Sequence, residues 1–90
     1  MTKTFTDLPV LYVKSGCTSC AEVVAFLDDH GVPYQQADIS DDSAHHETMR
    51  RLSGQDRTPT LDWHGRFLVD FHVEQLVPFL RDRNVKLEDS

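Results

Sequence analysis

The sequence predicts an α/β domain built on one mixed, four-stranded sheet with helices on both faces. The chain has 90 residues, of which 39% are hydrophobic and 27% charged, the balance of a single small globular domain. Short apolar runs typical of strands alternate with longer stretches of helical periodicity, in the order β-α-β-α-β-β-α. A helix between the first two strands makes them parallel, whereas a tight turn between the last two makes them antiparallel, so the sheet is mixed.

The first strand and helix are predicted from residue type and spacing. Val10–Val13 is a short β-branched and aromatic run, which favours a buried strand. Residues 18–30 then carry apolar side chains at helical spacing, and Gly31 suits a left-handed conformation at the end of that helix. The apolar positions are Ala21, Val23, Val24, Phe26 and Leu27.

A second strand and a second helix follow. Residues 33–39 predict the strand. The cluster Ser40-Asp41-Asp42-Ser43 supplies short oxygen-bearing side chains and negative charge, which favour the start of a helix. We expect this helix to end before Gly54, its cap, with Met49 and Leu52 facing inward.

The last third of the chain predicts a hairpin and a helix. Residues 59–63 and 66–70 form two strands joined by His64-Gly65, a pair that favours a tight turn. The last helix has an apolar stripe, and Pro78 lies inside it, so a kink is possible. This stripe consists of Val73, Leu76, Val77 and Leu80. We expect all 90 residues to form one domain, with its core at about 9–83 and a polar tail at 84–90.

Charge and hydropathy exclude several classes of protein. Nine Lys and Arg against fifteen Asp and Glu give a formal charge of −6, which argues against binding the phosphates of nucleic acids. The longest apolar stretches fall far short of the ~20 residues that span a bilayer. The N-terminus lacks the hydrophobic region of a signal peptide. We expect a cytoplasmic protein without nucleic-acid or membrane partners, and we expect a monomer.

The two cysteines, Cys17 and Cys20, are the most informative residues. A disulfide between them closes a very short loop and would stabilise the fold by at most about 2 kcal/mol, so a structural role explains them poorly. A zinc site would need four ligands, and the chain has no second Cys-x-x-Cys and no recognised histidine spacing. Redox chemistry is therefore the favoured interpretation, with inert thiols or a metal or cluster site as alternatives.

The sequence around these cysteines resembles the glutaredoxin branch of the thioredoxin-fold redoxins. The resemblance lies in Lys14-Ser15-Gly16-Cys17-Thr18-Ser19-Cys20 after a strand, in Arg57-Thr58-Pro59-Thr60, and in Gly65-Arg66-Phe67-Leu68. It covers about residues 9–80 and implies a thioredoxin-like fold. The resemblance further implies that Cys17 is the nucleophile and Cys20 the resolving cysteine.

The same resemblance suggests which residues contact substrate. It implies that Lys14 binds the glycyl carboxylate of glutathione, that Thr58 offers its backbone to the substrate's cysteine, and that Pro59 is a cis-proline. An alternative for Lys14 is a solvated lysine at the end of a strand. If Pro59 packs against the cysteines, Arg57 would also lie near them. Alternatively, Arg57 could be an ordinary loop residue.

Val69 and Asp70 stand where glutaredoxins usually have two glycines. Valine disfavours a positive φ, so we expect ordinary strand backbone here. Asp70 would bring a negative charge close to the γ-glutamyl end of glutathione, although it could instead be an edge-strand charge that discourages pairing. Both changes predict weak glutathione binding, so a thioredoxin reductase is the alternative electron donor.

The start of a helix would activate Cys17. The thiolate is the form that attacks a disulfide, whereas free cysteine, with a pKa of ~8.5, is mostly protonated at neutral pH. Unsatisfied N–H groups and the positive end of the helix dipole favour the anion, and Lys14 adds positive charge. We therefore expect a lowered pKa for Cys17 and a better shielded Cys20.

These features predict a dithiol oxidoreductase that reduces protein or mixed disulfides through Cys17 and Cys20. We expect no tightly bound cofactor or resident metal, a disulfide-containing protein as substrate, and glutathione or a thioredoxin reductase as electron donor. One alternative is an iron–sulfur cluster carrier in which two chains hold the cluster through Cys17 and thiol co-ligands. Another alternative is a redox-inert interaction module of the same fold.

Overall fold

The computed structural model describes residues 8–85 and Leu87, and the expected element order is confirmed. The predictions for the start of the chain and for most of the polar tail fall on residues 1–7, 86 and 88–90, which lie outside the described residues. The elements are β1 (Val10–Val13), α1 (Thr18–Asp29), β2 (Gln35–Asp38), α2 (Ser43–Ser53), β3 (Thr60–Trp63), β4 (Arg66–Val69) and α3 (Val73–Asp82).

The four strands form one mixed sheet in the order β2-β1-β3-β4. β1 and β2 are parallel, with Val13 opposite Asp38, whereas β3 is antiparallel to both β1 and β4. In this register Tyr12 lies opposite Thr60, so the loop before β3 approaches the segment that follows β1. The sheet therefore brings two parts of the chain that are distant in sequence to one end of the molecule.

Helices cover both faces, as the sequence predicts. The larger core joins α1 and α3 to one face of the sheet, and its fully buried members include Leu11, Val23, Leu27, Leu76 and Leu80. On the other face, α2 packs through Met49 against Tyr12 and Ala37. Alternate residues of a strand point to opposite faces, which explains why adjacent residues of β1 serve different cores.

Leu52 was expected to face inward, and that expectation is wrong. Its side chain is 49% exposed, whereas Met49 is fully buried. Three residues further along a helix, a side chain lies about 60° around the axis. Because α2 rests on the sheet through the single buried residue Met49, that rotation is enough to leave Leu52 in solvent.

The C-terminal region also differs from the expectation in detail. α3 continues through Pro78, and both Pro78 and Glu74 are exposed. The carbonyl that Pro78 leaves without its helical partner therefore lies on the solvent side. Val85 and Leu87, placed by the sequence analysis in a polar tail, pack against the larger core. None of the helices in the described part of the chain is long and apolar enough to cross a membrane.

Candidate redox site

Cys17 occupies the N-cap of α1, where its sulfur meets the free N–H groups of the helix. The backbone before the helix is extended (φ −92°, ψ 105°), and Cys17 Sγ accepts a hydrogen bond from the Cys20 N–H at 3.2 Å. Cys17 and Cys20 form a disulfide, with their Cα atoms 5.2 Å apart. Cys17 is partly exposed, whereas only 3% of Cys20 is accessible. Cys20 is thus the better shielded cysteine, as expected.

The local charge around this helix start suits an anionic sulfur. α1 has no acidic residue in its first turn, so the helix supplies no carboxylate there to offset the positive end of its dipole. Lys14, which follows β1 directly, is exposed and lines the same cleft as both cysteines. Gly16 reaches the helix in the left-handed region, at φ +77°, a conformation that glycine adopts freely because it has no Cβ atom.

The Thr58–Pro59 loop lies against the cysteine pair. The peptide bond between these residues is cis, and Pro59 is buried. The Thr58 hydroxyl donates a hydrogen bond to Cys17 Sγ at 3.7 Å, across 41 positions of sequence. The sequence analysis assigned Thr58 only a backbone role, so the side-chain contact was missed.

Two residues that the sequence analysis did not select hold this loop in place. Gln55 Oε1 accepts from the Arg57 N–H at 2.6 Å, and Gln55 Nε2 donates to Thr60 Oγ1 at 3.0 Å. The Thr60 hydroxyl in turn donates to the Arg57 carbonyl at 2.6 Å, and Thr60 is fully buried.

Arg57 and Asp70 form an ion pair, with Nη1 3.4 Å from Oδ2. Both side chains are more than half exposed, so the pair contributes little to stability. Val69 lies in β4, as expected, but the strand ends there and not at Asp70, which has φ +50°. The expectation of ordinary strand backbone is therefore wrong at Asp70. Asp is one of the few residues other than glycine that adopt the left-handed region readily, which explains how it replaces a glycine here.

The start of α3 lies beside the cysteine motif. Ser19 Oγ and His72 Nδ1 are 3.1 Å apart, although 53 positions separate them. His72 is the N-cap of α3, and its backbone N–H donates to Gln75 Oε1 at 2.7 Å. His72 is not among the site residues predicted from the sequence, and its contact with the motif was not foreseen.

A cleft of about 490 Å³ lies beside Cys17, between α1 and β2, and neither Thr58 nor Pro59 lines it. Lys14, Cys17 and Cys20 line one end, and Asp38 of β2 lies on its wall. Hydrogen bonds from the Ser40 side chain and backbone lower the pKa of Asp38. No group of three or more His, Cys, Asp or Glu side chains is arranged to hold a metal among residues 8–85 and Leu87.

The predicted site residues therefore fall into three places. Cys17, Cys20 and Lys14 meet at the mouth of the cleft. The Thr58 hydroxyl contacts Cys17 Sγ, Pro59 follows Thr58 through a cis peptide bond, and Arg57 pairs with Asp70.

Comparison with known proteins places this arrangement in a family. The Glutaredoxin family model matches residues 10–68. The structure of the thioredoxin-like protein BC3987 is 26% identical, with a TM-score of 0.74, and the match covers 80% of this chain and 99% of that one. No curated protein sequence matches the chain significantly.

Two plant structures share the fold. A buckwheat glutaredoxin–glutathione complex is 22% identical, with a TM-score of 0.64, and the match covers 89% of this chain and 74% of that chain. The holo form of glutaredoxin C1 from Populus tremula x tremuloides is 23% identical, with a TM-score of 0.63, and the match covers 93% of this chain and 85% of that chain. These likenesses confirm the thioredoxin-like fold.

Proposed function

The chain belongs to the glutaredoxin family, and from that premise we propose that it is a dithiol oxidoreductase that reduces protein or mixed disulfides. The family and the Cys17–Cys20 pair support a thiol redox role. The observation that carries the finer proposal is the contrast between the two sulfurs. Cys17 is partly exposed at a helix N-cap and bonded to the buried Cys20.

The reaction begins from the reduced pair. The Cys17 thiolate attacks one sulfur of the substrate disulfide, which forms a mixed disulfide and releases the other substrate sulfur as a thiolate that takes up a proton. Cys20 then loses its proton and attacks Cys17 Sγ, which releases the second substrate thiolate. Two electrons pass to the substrate, and the Cys17–Cys20 disulfide remains.

The surroundings of Cys17 support its role as the attacking group. The Cys20 N–H and the Thr58 hydroxyl both donate to its sulfur, and donors favour the thiolate over the thiol. Burial of Cys20 keeps the second thiol from reacting directly with external disulfides. Exposure and hydrogen bonding together support this order of attack.

We expect a thioredoxin reductase to be a better electron donor than glutathione. Asp70 places a carboxylate where the family usually has glycine, and its pairing with Arg57 fills part of that side of the site. The His72 N–H is already bonded to Gln75 and is not free for an incoming carboxylate. A dithiol donor that contacts Cys17 from outside does not need this pocket.

A coupled assay tests both parts of the proposal. The oxidised protein is supplied with NADPH and either thioredoxin reductase or glutathione plus glutathione reductase, with bis(2-hydroxyethyl) disulfide as acceptor. We expect NADPH oxidation that requires Cys17, and a faster rate with thioredoxin reductase. Cys17→Ser is the control. Lack of acceleration with either donor would contradict the oxidoreductase, whereas a faster rate with glutathione would contradict only the donor.

A further inference from the structure

Beyond its cysteine end, the cleft between α1 and β2 is a surface that the reaction above does not use. Its α1 wall carries Ala21, Val24, Ala25 and Asp28, which the helical period places on one face. Its β2 wall carries Gln36 and Asp38, which strand alternation places on one face. Ala21 and Ala25 are exposed small residues, so the α1 wall beside the disulfide is open and apolar.

The length of the cleft fits an extended polypeptide. Cys17 and Asp28 line its two ends along α1 and are eleven positions apart. At about 1.5 Å per residue this is a span of roughly 16 Å. An extended chain advances about 3.3 Å per residue, so about five residues cover that distance. A tripeptide thiol attached to Cys17 would leave the far end empty.

The charge of the cleft is asymmetric. At the cysteine end Lys14 and Asp38 bring opposite charges, whereas Asp28 is the charged residue of the lining at the far end. The Tyr34 hydroxyl donates to Asp28 Oδ1 at 3.1 Å and holds this carboxylate in position. A cationic side chain is the complementary partner for the far end, and the formal charge of −6 acts in the same direction.

We propose that this cleft binds the segment of a protein substrate that flanks its reactive cysteine. Small or apolar side chains of that segment lie against Ala21, Val24 and Ala25, and a Lys or Arg about five residues from the cysteine pairs with Asp28. The inference rests on the proposed function, because the mixed disulfide with Cys17 tethers the segment at the mouth of the cleft. Continuity with that sulfur and charge complementarity at Asp28 together select this occupant.

Synthetic peptides provide the test. Each carries one cysteine as its mixed disulfide with 5-thio-2-nitrobenzoate and has Lys, Gln or Glu five residues before or after that cysteine. The measured quantity is the second-order rate constant for release of thionitrobenzoate by the reduced protein. We expect one of the Lys peptides to react about two- to fivefold faster than its Glu counterpart, which is the range of an exposed ion pair. High salt should reduce that difference.

Two variants of neighbouring residues separate a local contact from a general field. Asp28→Asn should remove the preference for Lys, and its amide oxygen can still accept from Tyr34. Asp29→Asn makes the same change of charge at an exposed residue outside the lining and should keep the preference. Equal rates for the three residue types, or equal effects of the two variants, would overturn the proposal.

A change in the shape of the cleft tests the proposal independently of charge. Ala25→Leu adds bulk to the cleft at an exposed helical position and should slow all the peptides by about tenfold. The mixed disulfide of 2-mercaptoethanol and thionitrobenzoate should react at an unchanged rate. Unchanged peptide rates would overturn the cleft proposal. Failure of the small disulfide to react with the unmodified protein would instead overturn the oxidoreductase itself.

Discussion

The N-termini of α1 and α3 lie side by side, joined by Ser19 Oγ and His72 Nδ1 at 3.1 Å, yet their free N–H groups are used differently. In α1 the N–H of the third helical residue donates to the sulfur of Cys17. In α3 the third residue, Gln75, turns its side chain back to accept from the backbone of the N-cap.

The two helix starts also differ in charge. α3 carries Glu74 in its first turn, which complements the positive end of its dipole, whereas α1 has no acid there. One helix start is thus completed by its own side chains and stabilises the fold. At the other helix start the N–H groups face a sulfur atom, and they stabilise that sulfur most when it is an anion. The start of α1 suits a chemical role partly because it lacks the acidic residue that would otherwise complete it.

The strongest test of this difference removes the sulfur but keeps the cap. In Cys17→Ser the serine oxygen can still accept from the Cys20 N–H, so α1 should form normally while disulfide reduction is lost. In Cys20→Ser the mixed disulfide should accumulate, as measured by mass spectrometry. The assignment would be wrong if Cys20→Ser, rather than Cys17→Ser, abolished reaction with iodoacetamide at neutral pH.

The second-largest effect is expected at the end of β4, where Val69 and Asp70 lead towards α3. Val69→Gly combined with Asp70→Gly should raise glutathione-coupled kcat/KM by about ten- to 150-fold, because it removes the Val69 side chain and the Asp70 carboxylate from the expected glutathione site. Asp70→Asn is the matched control, since Asn also tolerates the left-handed backbone but carries no charge. Turnover of the unmodified protein at the rate of an ordinary dithiol glutaredoxin would refute the predicted weakness.

Copying the acid of α3 onto α1 should weaken the activation of Cys17. In the unmodified protein we expect the pKa of reduced Cys17 to lie below the ~8.5 of free cysteine. Ser19→Glu occupies the position in α1 that Glu74 has in α3, and should raise the Cys17 midpoint by about 0.5 to 1 pH unit. Ultraviolet absorbance of the thiolate in the Cys20→Ser background measures it, and Ser19→Gln controls for loss of the hydroxyl. A midpoint that is the same in both variants would contradict the argument.

Weakening the N-terminus of α3 should lower the stability of the fold without changing the titration of Cys17. Gln75→Ala removes the side chain that accepts from the His72 N–H and should lower the free energy of unfolding by about 1 kcal/mol. Urea denaturation followed by circular dichroism measures the loss. The thiolate titration of Cys17 should stay unchanged, and a large shift would show that the two helix starts are not independent.

The smallest effect is expected near the other end of α1. Burial, and then the hydrogen bond to Asp28, raise the pKa of Tyr34 from 10.0 to about 12. Because the folded pKa is the higher one, the stabilisation is complete below pH 10.0 and is lost as the pH rises through about 12. Phenolate absorbance of Tyr12→Phe, in which Tyr34 is the one remaining tyrosine, measures it. A midpoint near 10.0 would contradict this contact.

Local patterns predicted most of the fold. The strand Val10–Val13 and the order of seven elements followed from residue type and spacing. The left-handed glycines Gly31 and Gly54 fell where the helix ends were expected. These features depend on contacts within one or two turns of chain, which the sequence displays directly. The position of Cys17 at a helix start is of the same kind, since it needs only the residues that follow it.

Other features depended on which elements the sheet brings together. The Thr58 hydroxyl reaches Cys17 across 41 positions, His72 reaches Ser19 across 53, and Arg57 reaches Asp70 across 13. Leu52 has the same local pattern as a buried residue and is exposed because only one side of α2 rests on the sheet. Hydrophobic spacing and helix capping depend on a few neighbouring residues, so both can be predicted from the sequence. The partners of a side chain at the surface of an element are set by strand order and register, which only the folded chain defines.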